Sequence, residues 1–225
     1  AGDLIDYGFR LDAKTLIRNL SVVPCEHTVK NDWLGCCGHC GKTYAVKITS
    51  AEGKVTYLET LPEEGLTNAE GDTITPLQDL TKITVKGSCR IELNGRTIGT
   101  LDAALADELT LYGIGTVQNL SLGTDDATGS HAATLALESS SSGAPTVNSL
   151  HVYRTTKDTK LTCGTFRCID TMQAGILVAD LLAEGYGLVD ASGNVVRFRT
   201  NYYNGGEAGV AKHTHGFTKN SDGLD

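Results

Sequence analysis

Apolar and polar positions alternate in short runs along most of the chain. Tyr44-Ala45-Val46-Lys47-Ile48 and Lys54-Val55-Thr56-Tyr57-Leu58 flank Ser50-Ala51-Glu52-Gly53, the pattern of a β-hairpin with a turn that glycine can complete. Further along, phrases repeat. Thr116-Val117-Gln118-Asn119-Leu120-Ser121-Leu122 returns as Thr146-Val147-Asn148-Ser149-Leu150-His151-Val152. Leu109-Thr110-Leu111 returns as Leu135-Ala136-Leu137 and again as Leu161-Thr162-Cys163, so that the steps of the two phrases are 26 to 30 residues. Asp79 to Val85 is an earlier, degenerate copy. Each unit holds two short alternating strands and cannot bury its apolar face alone, whereas stacked units make a continuous inner column. An antiparallel sandwich also has short, regularly spaced strands, but the fixed period favours the solenoid. The expected fold is all-β: a right-handed parallel β-helix (β-solenoid) preceded by the hairpin segment.

Two stretches depart from the alternation. Ala174 to Glu184 carries Ile176, Leu177, Leu181 and Leu182 ahead of Gly185, which predicts one short helix near 174–184. Leu101 to Asp107 allows a second. The segments expected are 1–24 as the end of a preceding module, 25–60 as a Cys/His segment with the hairpin, 61–200 as solenoid rungs, and 201–225 as an irregular C-terminal segment.

Composition supports strands over helices, with 26 Gly and abundant Ser and Thr against 1 Met and 1 Trp. The formal net charge is -8, and no Lys/Arg cluster offers the phosphate contacts of a nucleic-acid partner. No apolar run reaches the 18 residues of a membrane helix, so no membrane insertion is expected. The start at Ala1-Gly2-Asp3 resembles neither a signal peptide nor a natural beginning, which reads as a mature protein or an excised fragment.

The chemistry concentrates in one place. Seven cysteines cannot all pair within the chain, and four of them crowd between Cys25 and Cys40. Cys25-Glu26-His27, then Cys37-Gly38-His39-Cys40-Gly41, offers two ligands on each arm for one tetrahedral ion, and thiolate with imidazole suits zinc. The expected ligands are Cys25, His27, Cys37 and Cys40. Cys36 and His39 are spares, and Cys36 can replace Cys37 in the register. Gly41 permits a tight knuckle with backbone N–H groups facing sulfur, and Lys42 adds a positive charge beside the thiolates. Disulfides or free thiols are the alternative. A disulfide between Cys163 and Cys168 competes with their use as small inner-rung fillers, and Cys89 suits the same column.

These pieces, in this order, resemble large repetitive surface proteins (adhesin-like) of Gram-positive gut and oral bacteria. Those proteins carry a C-x-H…G-x-C-x-x-C-G segment, a hairpin, rungs, and a phrase like L-L-A-E-G-Y-x-x-x-D-x-x-G. Here the last is Leu181 to Gly193, and the extra Cys36 departs from the pattern. The resemblance spans roughly residues 25–196. It implies a secreted, cell-wall-linked parent with a localisation at the cell surface, whose partners are neighbouring modules and a host protein or glycan. Asp3 to Phe9 looks like a worn copy of Asp180 to Tyr186, and His213-Thr214-His215 follows as an exposed pair.

No G-x-S-x-G elbow, Walker loop or H-E-x-x-H occurs. His131, His151, His213 and His215 are the candidate bases. Asp125 with Asp126, and Asp102 with Asp107, are carboxylate pairs by type only, and solvated turns explain such pairs more simply. The expectation is therefore a non-catalytic module for adhesion, host-factor binding or presentation. Binding would use loops such as Gly123 to Ser130 and Glu138 to Pro145, with Tyr153 and Tyr202-Tyr203 as an exposed aromatic patch. A phage fibre or capsid-associated protein, and a carbohydrate-active β-helix enzyme, are the alternatives.

Overall fold

The computed structural model describes residues 9–11, 22–27, 30–32, 34–67, 71–126, 129–196 and 200–213. Residues 3–8 of the worn module phrase, and His215, lie outside them. Short strands β1 (Phe9–Leu11) and β2 (Val22–Pro24) pair antiparallel, as do β3 (Lys30–Asn31) and β4 (Cys36–Cys37). The expected hairpin is β5 (Val46–Thr49) with β6 (Val55–Leu58), closed by the Ser50–Gly53 turn. Next come β7 (Leu66–Thr67), β8 (Thr73–Pro76) and two long strands, β9 (Leu80–Glu92) and β10 (Thr97–Tyr112). β11 (Thr116–Leu122) leads through a small hairpin, β12 (Thr124–Asp126) and β13 (Gly129–His131), to β14 (Thr134–Glu138). β15 (Thr146–Val152), β16 (Thr165–Asp170), β17 (Tyr186–Val189) and β18 (Tyr202–Lys212) follow.

The molecule is a parallel β-solenoid. β9, β10, β11, β15 and β16 lie side by side, all parallel, one from each of five turns. Their register stacks Leu80, Ile98, Val117, Val147 and Phe166 in one row, and Ile83, Leu101, Leu120, Leu150 and Ile169 in the next. All ten are buried. The far halves of β9 and β10 pair with each other, and β10 pairs on with β14, as a second face, where Cys89, Leu109 and Leu135 stack beside Ile91, Leu111 and Leu137. The parallel ladder rules out the antiparallel sandwich. Each first-face strand reads apolar, two polar, apolar, polar, apolar. Thr97 to Ala103 and Thr165 to Thr171 carry this phrase too, disguised by small or polar residues in its last position. Thr171 can be fully buried there because its hydroxyl donates to Ile176 O (2.6 Å) and its N–H to Asn201 O (2.9 Å).

Three expectations need correction. Leu101 to Asp107, helical by composition, is the middle of β10, because β9 and β11 pair with it from either side and override the propensity. The helix expected over 174–184 shrinks to a single 3-10 turn, Val178–Leu181. Its apolar residues instead extend the inner column: Leu182 bridges Leu161 in parallel, and Val178 and Leu181 are buried. The irregular stretch expected from 201 contains the 11-residue strand β18. Cys89 is the buried filler its place in the column predicts, whereas Cys168 sits at a polar position of its strand, in register with Ser149. Cys163 reaches Leu137 O (3.2 Å), and the two are not bridged.

Strand direction reverses at both ends of the stack. β8 runs parallel to β9, but β5 is antiparallel to β8 and to β6. At the other end β18 is antiparallel to both β16 and β17.

Leu120 sits mid-stack between Leu101 and Leu150 with no exposed surface. Leu120→Ala is expected to lower unfolding stability by about 2–5 kcal/mol in denaturant titration. Ser121→Ala, next to it on the outer face, should shift stability by no more than about 0.5 kcal/mol.

Candidate metal centre

The Cys/His segment is mounted on the hairpin that begins the sheet. Lys30 donates to the Tyr44 hydroxyl (2.6 Å) and lies over the Tyr44 and Tyr57 rings, 4.0 and 5.0 Å from their centroids. Asp32 accepts from Lys47 and from the Tyr57 hydroxyl, each at 2.8 Å. These two donors outweigh the partial burial of Asp32 and hold its carboxyl below the usual range. Tyr44 and Leu77 pack with Cys25 and Cys37 in a small core separate from the solenoid column. Gly35 belongs to this docking: its φ is +63°, and a Cβ there would stand 2.7 Å from Leu77 O. No motif in the sequence links Asp32 to Lys47 or Tyr57, so spacing gives no sign of these supports.

Strand alternation settles the register that the paired cysteines left open. Neighbours on a strand face opposite sides. β4 turns Cys37 inward, fully buried, while Cys36 is half-exposed and bridges Thr43. The side-chain ligand atoms of Cys25, His27, Cys37 and Cys40 converge, all within 4.8 Å of one another. Cys25 Sγ lies 3.7 Å from Cys37 Sγ, and Cys40 Sγ lies 3.3 Å from His27 Nδ1. His27 takes a left-handed φ of +53°, uncommon for any residue but glycine, and one that persists where surroundings hold it for a purpose. His39 is exposed and outside the group.

The local electrostatics suit a cation. Burial alone would push the Cys37 thiol up. Backbone N–H groups of His39 and Cys40, with the His27 and Cys25 side chains, override it and hold the thiol at about 6. Cys25 is raised, first by burial and then by the neighbouring sulfurs. The Cys37 carbonyl accepts from Gly41 N (2.8 Å), and Cys37 N donates to Lys42 O (2.7 Å), which closes the knuckle. Lys42 keeps the expected electrostatic contact with the Cys40 sulfur, but its main partner is a carboxylate. It is paired with Glu59 at 2.5 Å. Four ligand side chains on two arms, one thiol already inclined to ionise, can hold a metal ion.

The other candidates are dispersed over the surface. Asp125 pairs with Arg154 (3.0 Å) and Asp102 with Lys82 (3.7 Å). His131 Nε2 meets Ala106 O (2.9 Å) beside Asp107 (3.5 Å). His213 is half-buried against Gly187, not the exposed residue expected. Tyr153 and Tyr202 are exposed, but Tyr203 is buried, with its hydroxyl on Gly206 O (2.7 Å).

Dialysed Cys36→Ser protein is expected to keep the metal content of the parent, and Cys37→Ser to lose most of it, read by elemental analysis. The reverse ranking would place the wrong cysteine in the site. These measurements carry weight because, compared with protein-family models, curated proteins and solved structures, the chain has no match in any of the three.

Proposed function

We propose that the chain is a non-catalytic module of a secreted bacterial cell-surface protein, one that binds a host protein or glycan, or presents a neighbouring module. The observation that carries this reading is the continuous inner column of the solenoid. It makes a rigid body whose outer faces are free to vary. The surface placement of Asp102, Asp125 and His131 in separate ion pairs supports binding over chemistry. The resemblance in the Cys/His segment and the Leu181–Gly193 phrase supports the cell surface as the location.

The metal in this reading is zinc with a structural role. Two zinc–sulfur bonds of ~2.3 Å at a tetrahedral angle place the sulfurs about 3.8 Å apart, against 3.7 Å between Cys25 and Cys37. Four protein ligands leave no open coordination position for a reacting water.

One observation favours a second reading, a carbohydrate-active enzyme removing acyl groups. Ser121, His151 and Asp170 are successive register partners on the outer face, with His151 Nδ1 3.8 Å from Asp170 Oδ2. Ser121 has no hydrogen bond to His151 among the described residues, which is why binding is preferred. Loss of acetyl release from acetylated polysaccharides in Ser121→Ala would establish the enzyme instead.

A membrane-impermeant labelling reagent applied to intact producing cells should modify the chain; labelling only after lysis would overturn the surface assignment. Protein purified without added metal should contain about one zinc per chain. Chelation should loosen residues 25–44 in hydrogen exchange while the solenoid amides stay protected.

A further inference from the structure

The corner between the second face and the next turn holds a trough of about 450 Å³. This lies within the roughly 300–1,000 Å³ of small-molecule sites. Three successive turns build it, through residues 94–96, 113–114 and 140–142. At ~4.8 Å between strands, three turns extend about 10 Å, the length of a disaccharide. The trough is open because Gly95 places no side chain in it: a Cβ built there meets nothing within 4 Å.

Its walls have a definite chemistry. Tyr112 and the exposed Ile114 provide apolar surface. Arg90 fixes the ring, lying 5.2 Å from its centroid while bound to Glu138 at 2.9 Å. Glu92 uses Oε2 to accept from Thr75 (3.2 Å), which leaves Oε1 as an acceptor. Asn94 donates its amide to Pro76 O (3.2 Å), which leaves its carbonyl as a second acceptor. Arg96 and the Ser141 hydroxyl complete the polar lining, and the one acid balances the one base. Part of the backbone is already occupied, because the turns bond one another: Leu93 N to Tyr112 O, Gly95 N to Ile114 O, and Thr116 N to Arg96 O. An extended peptide adding as a strand would have to displace these bonds.

We infer that this trough binds a neutral saccharide, whose C–H face lies on Tyr112 and Ile114 and whose hydroxyls donate to Glu92 and Asn94. The inference rests on the binding-module reading above and names its ligand class and site.

The test uses the full chain and an immobilised panel of neutral, sialylated and sulfated oligosaccharides, followed by titration of the best neutral binder. Ser141→Trp fills the trough from an exposed position without touching the core. It should weaken binding about tenfold or more with an unchanged thermal transition. Tyr112→Ala should weaken binding similarly, and Tyr112→Phe, which keeps the ring face, should retain it. No binding to any neutral member, binding confined to acidic members, or binding unaffected by Ser141→Trp would each overturn the inference. Surface labelling of cells reads the module assignment separately: a failure there leaves the saccharide result standing, and a failure here leaves the labelling result standing.

Discussion

Everything in this protein depends on the in-register stacking of apolar side chains inside the solenoid. Parallel pairing alone does not fix which residue faces which, because the backbone hydrogen bonds look alike at every position. A slip by one residue would turn the inner row outward. Leu101 above Ile83 and below Leu120 prevents that slip, since each slipped pairing exposes several leucines at once. The spacing apolar-two-apolar-one-apolar makes the register unambiguous, and the rest of each turn only has to connect one copy to the next. This is why the small hairpin β12–β13 is tolerated between β11 and β14: it lies outside the column and leaves the ladder on either side unchanged.

The Cys/His segment obeys a different constraint. Its small core of Cys25, Cys37, Tyr44 and Leu77 is too small to hold a loop of this length by apolar burial alone. The Lys30 and Asp32 contacts to the hairpin hold it as well, and the converging ligand atoms can add a metal ion to them. Both act on the same strand pair. Leu77 then links this core to the column, through its N–H on Ala45 O (3.0 Å) at the end of β8.

The solenoid was legible in the sequence because stacking demands repetition, and repetition can be seen without knowing contacts. The copies at Thr116 and Thr146 were plain. The copy at Thr165 was not, since Thr171 fills an apolar slot with a polar residue whose hydroxyl the Ile176 carbonyl satisfies and whose N–H meets the distant Asn201 carbonyl. Leu101 to Asp107 misled for a related reason: alanines at a corner look helical until the strands on either side are known. The four converging side chains were legible by type and spacing. The choice between Cys36 and Cys37 was not, because it depends on which face of β4 meets Leu77. The trough at Gly95 was invisible, since its walls come from three turns that are distant in sequence.

The reversed strands at the two ends have a bearing on length. A parallel stack contains no instruction to stop, since every turn offers its successor the same row of donors and acceptors. Such a stack can template another copy and grow. Here one strand at each end, β5 and β18, runs against the rungs, while the outermost strands β6 and β17 turn back into the rungs' direction beyond it. The run of parallel pairing is interrupted once before each edge. Among the described residues, the parallel run of rungs is thus bounded on each side by one antiparallel strand, a break in the repeat that a growing parallel stack would not contain.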